Sequence, residues 1–97
     1  MQHLLKDSDL SKAQIEALIA LGKSVKADPK KYGQALAGKS VVTLFEKPSL
    51  RTRVTFDIGI ARLGGHSVYL DQQNGALGKR ESVKDFAANL SRWCDAI

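Results

Sequence analysis

The sequence holds a single cysteine, Cys94. An internal disulfide is therefore excluded, and no pair of cysteines sets a metal-ligand spacing. A lone thiol fits a reducing compartment. No apolar stretch approaches the length that crosses a membrane. The start, Met1-Gln2-His3-Leu4-Leu5-Lys6-Asp7, lacks a basic leader followed by a long apolar run. No secretory signal is visible there, and a cytoplasmic location is expected. Runs of five or more like charges are missing as well, which argues against a polyelectrolyte-binding tail. Neither a dinucleotide nor a Walker-type glycine pattern occurs. There is no repeat, low-complexity tract or interdomain linker.

What is present is a mixed, foldable composition of 97 residues, 43% hydrophobic, with a formal net charge of +5. That length allows one domain at most, with a modest core. The positive balance points to anionic partners. The basic residues are scattered among acids and no aromatic residues interleave with them on a basic face. Nucleic acid is therefore not an expected partner.

Ser11-Lys12-Ala13-Gln14 reads as a capping box that opens a helix, with Ile15, Leu18, Ile19 and Val25 near one face. Asp28-Pro29 ends it. After a polar segment with Gly33 and Gly38 comes Val41-Val42-Thr43-Leu44-Phe45, β-branched and apolar on both faces, as in a buried parallel strand. A second helix starts at Ser49 or Leu50, with Leu50, Val54, Ile58 and Ala61 at helical spacing, and stops at Gly64-Gly65. Ser67 to Leu70 reads as a second strand, and Asp71 to Lys79 as a polar loop. Glu81-Ser82 opens a third helix with Val83, Phe86, Ala87, Leu90, Trp93 and Cys94 on one stripe. Asp95-Ala96-Ile97 begins a third strand. This alternation predicts an α/β fold, three α-β-α layers around a parallel sheet. Right-handed crossovers then set Ser49 at the carboxyl edge of the strands, where ligands bind.

Phe45-Glu46-Lys47-Pro48-Ser49-Leu50-Arg51-Thr52-Arg53 carries the chemistry. Its serine, threonine and two arginines fall where a strand turns into a helix. The unpaired amides and positive dipole end of a helix start attract a phosphate or carboxylate there. Arg51 is the candidate for direct phosphate contact, through its planar guanidinium. Arg53 is assigned to holding the loop through a carboxylate such as Glu46. On residue types alone, an ordinary N-cap followed by solvated arginines is the alternative. Lys79-Arg80 reads as a solvated loop pair, His66 as structural, and Cys94 as a small buried hydrophobe.

The full motif resembles the signature of the aspartate and ornithine carbamoyltransferase family, and looks most like its ornithine branch. The resemblance continues through Phe56-Asp57, Leu63-Gly64-Gly65-His66 and Leu77-Gly78-Lys79-Arg80-Glu81-Ser82, and covers essentially the whole chain. It implies that carbamoyl phosphate is bound by Ser49, Arg51 and Thr52 together with the amide of Leu50, and that Arg51 is the catalytic residue. Leu50 replaces the family's commonest threonine, a change that a backbone contact survives. The resemblance also implies a homotrimer, or a multiple of trimers, in which the loop before Glu81 reaches a neighbour's site. Ala76 stands where the ornithine branch often has glutamine, which leaves Lys79 and Arg80 as possible substitutes.

By the same resemblance, residues 1–97 are the first part of the carbamoyl-phosphate domain. The later histidine segment and the amino-acid-binding domain are absent. The implied reaction is carbamoyl transfer from carbamoyl phosphate to L-ornithine, giving citrulline in arginine biosynthesis, without metal or cofactor. Alternatives are another acceptor (aspartate, putrescine or an acylated ornithine), or a non-catalytic anion-binding or assembly module.

Overall fold

Two parallel strands, β1 (Ser40–Phe45) and β2 (His66–Asp71), form the sheet of this computed structural model, which describes residues 3–71 and 82–97. The register pairs Ser40 with His66 and continues in step to Phe45 and Asp71. Parallel strands need a crossover, and helix α2 (Leu50–Arg62) supplies it. The order strand, helix, strand is the α/β arrangement the sequence predicts. The chain divides into two compact units, Met1–Tyr32 and Gly33–Ile97.

In the first unit, helix α1 (Lys12–Ala27) lies between short 3-10 turns at Asp7–Asp9 and Pro29–Tyr32. The capping box forms as read: the Gln14 amide donates to Ser11 Oγ at 3.1 Å, and the Ser11 amide donates to Gln14 Oε1 at 2.8 Å. Of the helix's apolar stripe, Ile15, Leu18 and Ile19 are exposed and Val25 is half-buried.

In the second unit, alternation along the strands puts Val41, Thr43, Phe45, Ser67, Tyr69 and Asp71 on one face of the sheet. Helix α2 covers that face: Asp57 meets Ser67, and Arg53 meets Tyr69. Ile60 and Thr43 are buried, as is Val42 on the opposite face. The apolar row of α2 at helical spacing does not meet the sheet. Leu50 is 78% exposed, Val54 and Ile58 are exposed, and so is Ala61. The stripe that turns to the sheet is Arg53, Asp57 and Ile60, spaced four and three residues apart. Polar anchors on β2 select the helix face here, rather than the longer apolar row.

Helix α2 ends as Gly64-Gly65 predicts. The Gly65 amide donates to Ile60 O at 2.9 Å and the Gly64 amide to Ala61 O at 3.0 Å, with Gly64 at φ +87°. This is the Schellman pattern, which requires a left-handed residue. Helix α3 (Val83–Trp93) starts at Ser82, whose Oγ accepts from the Asp85 amide at 3.1 Å. Phe86, Leu90 and Cys94 of its stripe are half-buried, while Val83 and Trp93 are exposed. Beyond it the chain returns to the free edge of β1. There Ala96 bridges Val41 in parallel sense, and the Val42 amide donates to Ala96 O at 2.9 Å. The expected third strand is thus present as one bridge, and it makes β1 the central strand.

Candidate functional site

Strand β1 delivers Phe45 to the edge of the sheet, and five residues later the chain enters α2. Ser49 is the N-cap, with extended backbone at φ −149°, ψ 93°. Its carbonyl accepts the first helical bond, from the Arg53 amide at 3.0 Å. Its hydroxyl makes no cap hydrogen bond to the helix, unlike those of Ser11 and Ser82. The amides of a helix's first turn have no intrahelical partner, so those of Leu50, Arg51 and Thr52 converge at this end. A half-buried serine hydroxyl stands beside them, and the dipole end is positive. Such an arrangement suits an anion with several oxygens.

Leu50, Arg51 and Thr52 are all exposed in that first turn, and the four positions read from the sequence lie consecutively at one helix start. Arg51 has no ion-pair partner among the described residues. Ala76, Lys79 and Arg80, the positions assigned to a cross-subunit loop, lie outside the described residues.

Arg53 is engaged, but not with Glu46. Its guanidinium carbon sits 3.7 Å from the centroid of the Tyr69 ring, and its Nε lies 3.8 Å from Asp57 Oδ2. The Ser67 hydroxyl donates to Asp57 Oδ1 at 2.6 Å, so the carboxylate is held from the β2 side. Phe45 extends the cluster, its ring 5.9 Å from that of Tyr69. Asp57 displaces Glu46 because it lies one helical turn after Arg53, on the same face. Reading the sequence missed Tyr69, Asp57 and Ser67 as the neighbours that hold Arg53. The signals were there: the i,i+4 spacing of Arg53 and Asp57, and the alternation that pairs Ser67 with Tyr69.

Among the described residues no group of histidine, cysteine, aspartate and glutamate gathers into a metal site, and no helix is long and apolar enough to cross a membrane.

The chain is similar to known proteins along essentially its whole length. Ornithine carbamoyltransferase from Vibrio sp. (strain 2693) is 72% identical over 97 residues, which are all of this chain and 32% of that protein. The Shewanella oneidensis ornithine carbamoyltransferase is 66% identical over the same span. Among solved structures, ornithine carbamoyltransferase from Pyrococcus furiosus superposes with a TM-score of 0.92 at 38% identity, over 99% of this chain and 31% of that one. An N-acetyl-L-ornithine transcarbamylase mutant complexed with PALAO gives a TM-score of 0.85 at 34% identity, over 98% of this chain and 32% of that one. The chain thus spans about a third of the length of these relatives. The family model for the aspartate/ornithine carbamoyltransferase carbamoyl-P binding domain matches residues 2–97, and the chain belongs to that family.

Proposed function

We propose that this chain supplies part of the carbamoyl-phosphate site of an ornithine carbamoyltransferase. The observation that carries the reading is the Ser49 hydroxyl, uncommitted to its helix, beside the first-turn amides of α2 and an Arg51 without an ion-pair partner among the described residues. The phosphate group would take hydrogen bonds from the Ser49 and Thr52 hydroxyls and from the amide of Leu50. Arg51 would reach both phosphate and carbonyl oxygen.

In the reaction the neutral side-chain amine of ornithine attacks the carbamoyl carbon. The carbon–oxygen bond to phosphate breaks, phosphate leaves with the electron pair, and the nitrogen gives up a proton. The step balances without a redox partner. Negative charge grows on the leaving oxygen, and guanidinium and amide donors fixed beforehand around it lower the barrier. Alignment of amine and carbamoyl carbon provides much of the rest.

Ornithine is favoured as acceptor by relatives of that name at 66–72% identity, against 34% for the N-acetyl-L-ornithine enzyme. The residues that recognise the acceptor would lie outside these 97 positions, in an amino-acid-binding domain of the whole enzyme. We further propose that the whole enzyme is a cytoplasmic homotrimer, or a multiple of trimers, serving arginine biosynthesis.

The test is titration of the ¹⁵N-labelled chain with inorganic phosphate and with carbamoyl phosphate. Saturable amide shifts confined to Ser49–Arg53 are expected. Their absence with both ligands would overturn the proposal.

A further inference from the structure

The two arginines of the motif have different surroundings. Both are exposed, but Arg51 has no ion pair among the described residues, whereas the Arg53 guanidinium meets two side chains, Tyr69 and Asp57. Tyr69 lies under its guanidinium plane at 3.7 Å, and Asp57 lies 3.8 Å from Nε. Its own amide donates to Ser49 O at 3.0 Å. Asp57 is in turn fixed by the short bond from Ser67 at 2.6 Å, the length of a charge-assisted hydroxyl-to-carboxylate contact. A continuous path therefore runs from the backbone of β2 through Tyr69, Ser67 and Asp57 to Arg53, and through the Arg53 amide to the carbonyl of Ser49.

We infer that Arg53 is the positioning residue of the anion loop, tying Ser49 to β2 through Tyr69, Asp57 and Ser67 while Arg51 meets the ligand. This rests on the anion-site reading above. The ion pair alone would be weak, since both side chains are partly exposed and 3.8 Å is long. Stacking on the ring adds an attraction that lysine would reproduce less well, having no planar fork to lie flat on tyrosine. Leaving Arg53 committed to the ring and the carboxylate also keeps one side of the site rigid. The Ser49 hydroxyl and the Leu50 amide then meet a ligand in fixed positions, without being ordered anew on each encounter.

The experiment titrates the ¹⁵N-labelled chain with inorganic phosphate in parallel with Arg51→Lys, Arg53→Lys, Tyr69→Leu and the double variant of Arg53 and Tyr69. In the parent chain the Arg53 δ-methylene protons should be shifted upfield by the Tyr69 ring, and Tyr69→Leu should abolish the shift. Arg53→Lys and Tyr69→Leu should each move the Ser49 and Leu50 amide resonances before any phosphate is added. Each should weaken phosphate binding by roughly two- to fivefold, the scale of a half-exposed stacked cation. The double variant should be no weaker than the worse single one, because both act through one contact.

Unchanged affinity in Arg53→Lys and Tyr69→Leu, with Arg51→Lys impaired, overturns this inference and leaves the anion site standing. Weakening by Arg53→Lys but not by Tyr69→Leu makes Arg53 a ligand contact and also overturns it. A parent chain without phosphate shifts at Ser49–Arg53 removes both readings. Should Arg53→Lys not fold, Ser67→Ala replaces it, losing only the hydroxyl that holds Asp57. Weaker phosphate binding in that variant supports the inference, and parent-like affinity overturns it.

Discussion

Asp95 holds Ser40 twice: its amide donates to Ser40 O at 2.8 Å, and its carboxylate Oδ2 accepts from the Ser40 amide at 2.8 Å. The second residue after α3 is thereby latched to the first residue of β1, and Ala96 follows into its bridge with Val41. Lys39 stands 3.8 Å from the other carboxylate oxygen, on the surface. Asp95→Ala removes the side-chain acceptor from a partly exposed amide and should cost about 1 kcal/mol. Hydrogen exchange should speed up at the Ser40 and Val42 amides and stay unchanged at Val68. Equal acceleration across both strands would show that the latch is not local. Asp95→Asn, which keeps an acceptor, should recover most of the protection.

Thr43 is 7% exposed under α2, and its hydroxyl oxygen has no hydrogen-bond partner among the described residues. A buried hydroxyl without a partner is a desolvation cost, and valine has the same shape without it. Thr43→Val should raise stability by about 1 kcal/mol in urea unfolding. A measurable loss of stability would mean that the hydroxyl has a partner in solution.

The sequence made the helix ends and strand starts legible because local chemistry decides them. Ser11 with Gln14, the Gly64-Gly65 stop and the β-branched run of β1 each act within a few residues. The face of α2 was not legible. Leu50, Val54, Ile58 and Ala61 make the better apolar row, yet Arg53 and Asp57 turn inward because Tyr69 and Ser67 await them on β2. A helix periodicity alone carries no information about polar partners on the next strand. The same non-local choice moved the partner of Arg53 from Glu46 to Asp57. The candidate residues Ser49 to Thr52 were legible as one contiguous motif, but the side chains that meet Arg53 from the sheet come from the second strand.

The two glycines Gly64 and Gly22 should respond in opposite directions to alanine. Gly64 sits at φ +87°, and an added Cβ would come within 2.7 Å of Gly33 O. Left-handed strain and a backbone clash act together there, so Gly64→Ala should cost about 1–3 kcal/mol. An added Cβ at Gly22, inside α1, meets nothing within 4 Å. Gly22→Ala should stabilise its helix by about 0.5–1 kcal/mol. Far-ultraviolet circular dichroism across a urea series reads both changes. A neutral Gly64→Ala would contradict the Schellman geometry.

The three serine N-caps separate a structural role from a binding role. Ser11 and Ser82 each accept the N3 amide at 3.1 Å, whereas Ser49 makes no such bond. Removing a working cap costs about 1 kcal/mol, and Ser11→Ala and Ser82→Ala should each lose that amount. Ser49→Ala has no cap bond to lose, so its stability should stay within about 0.5 kcal/mol of the parent chain. Its phosphate affinity should fall instead, because the hydroxyl would donate to a charged oxygen. A hydrogen bond to a charged group contributes about 1.5–3 kcal/mol, roughly ten- to hundredfold in affinity. The caps at Ser11 and Ser82 lie at other helix starts, so their alanine variants should bind phosphate as the parent does. Melting temperature and phosphate titration, measured on the same three variants, separate the two roles. If Ser49→Ala destabilises the chain like the other two and binds phosphate unchanged, Ser49 is an ordinary cap and the ligand contact assigned to it is wrong.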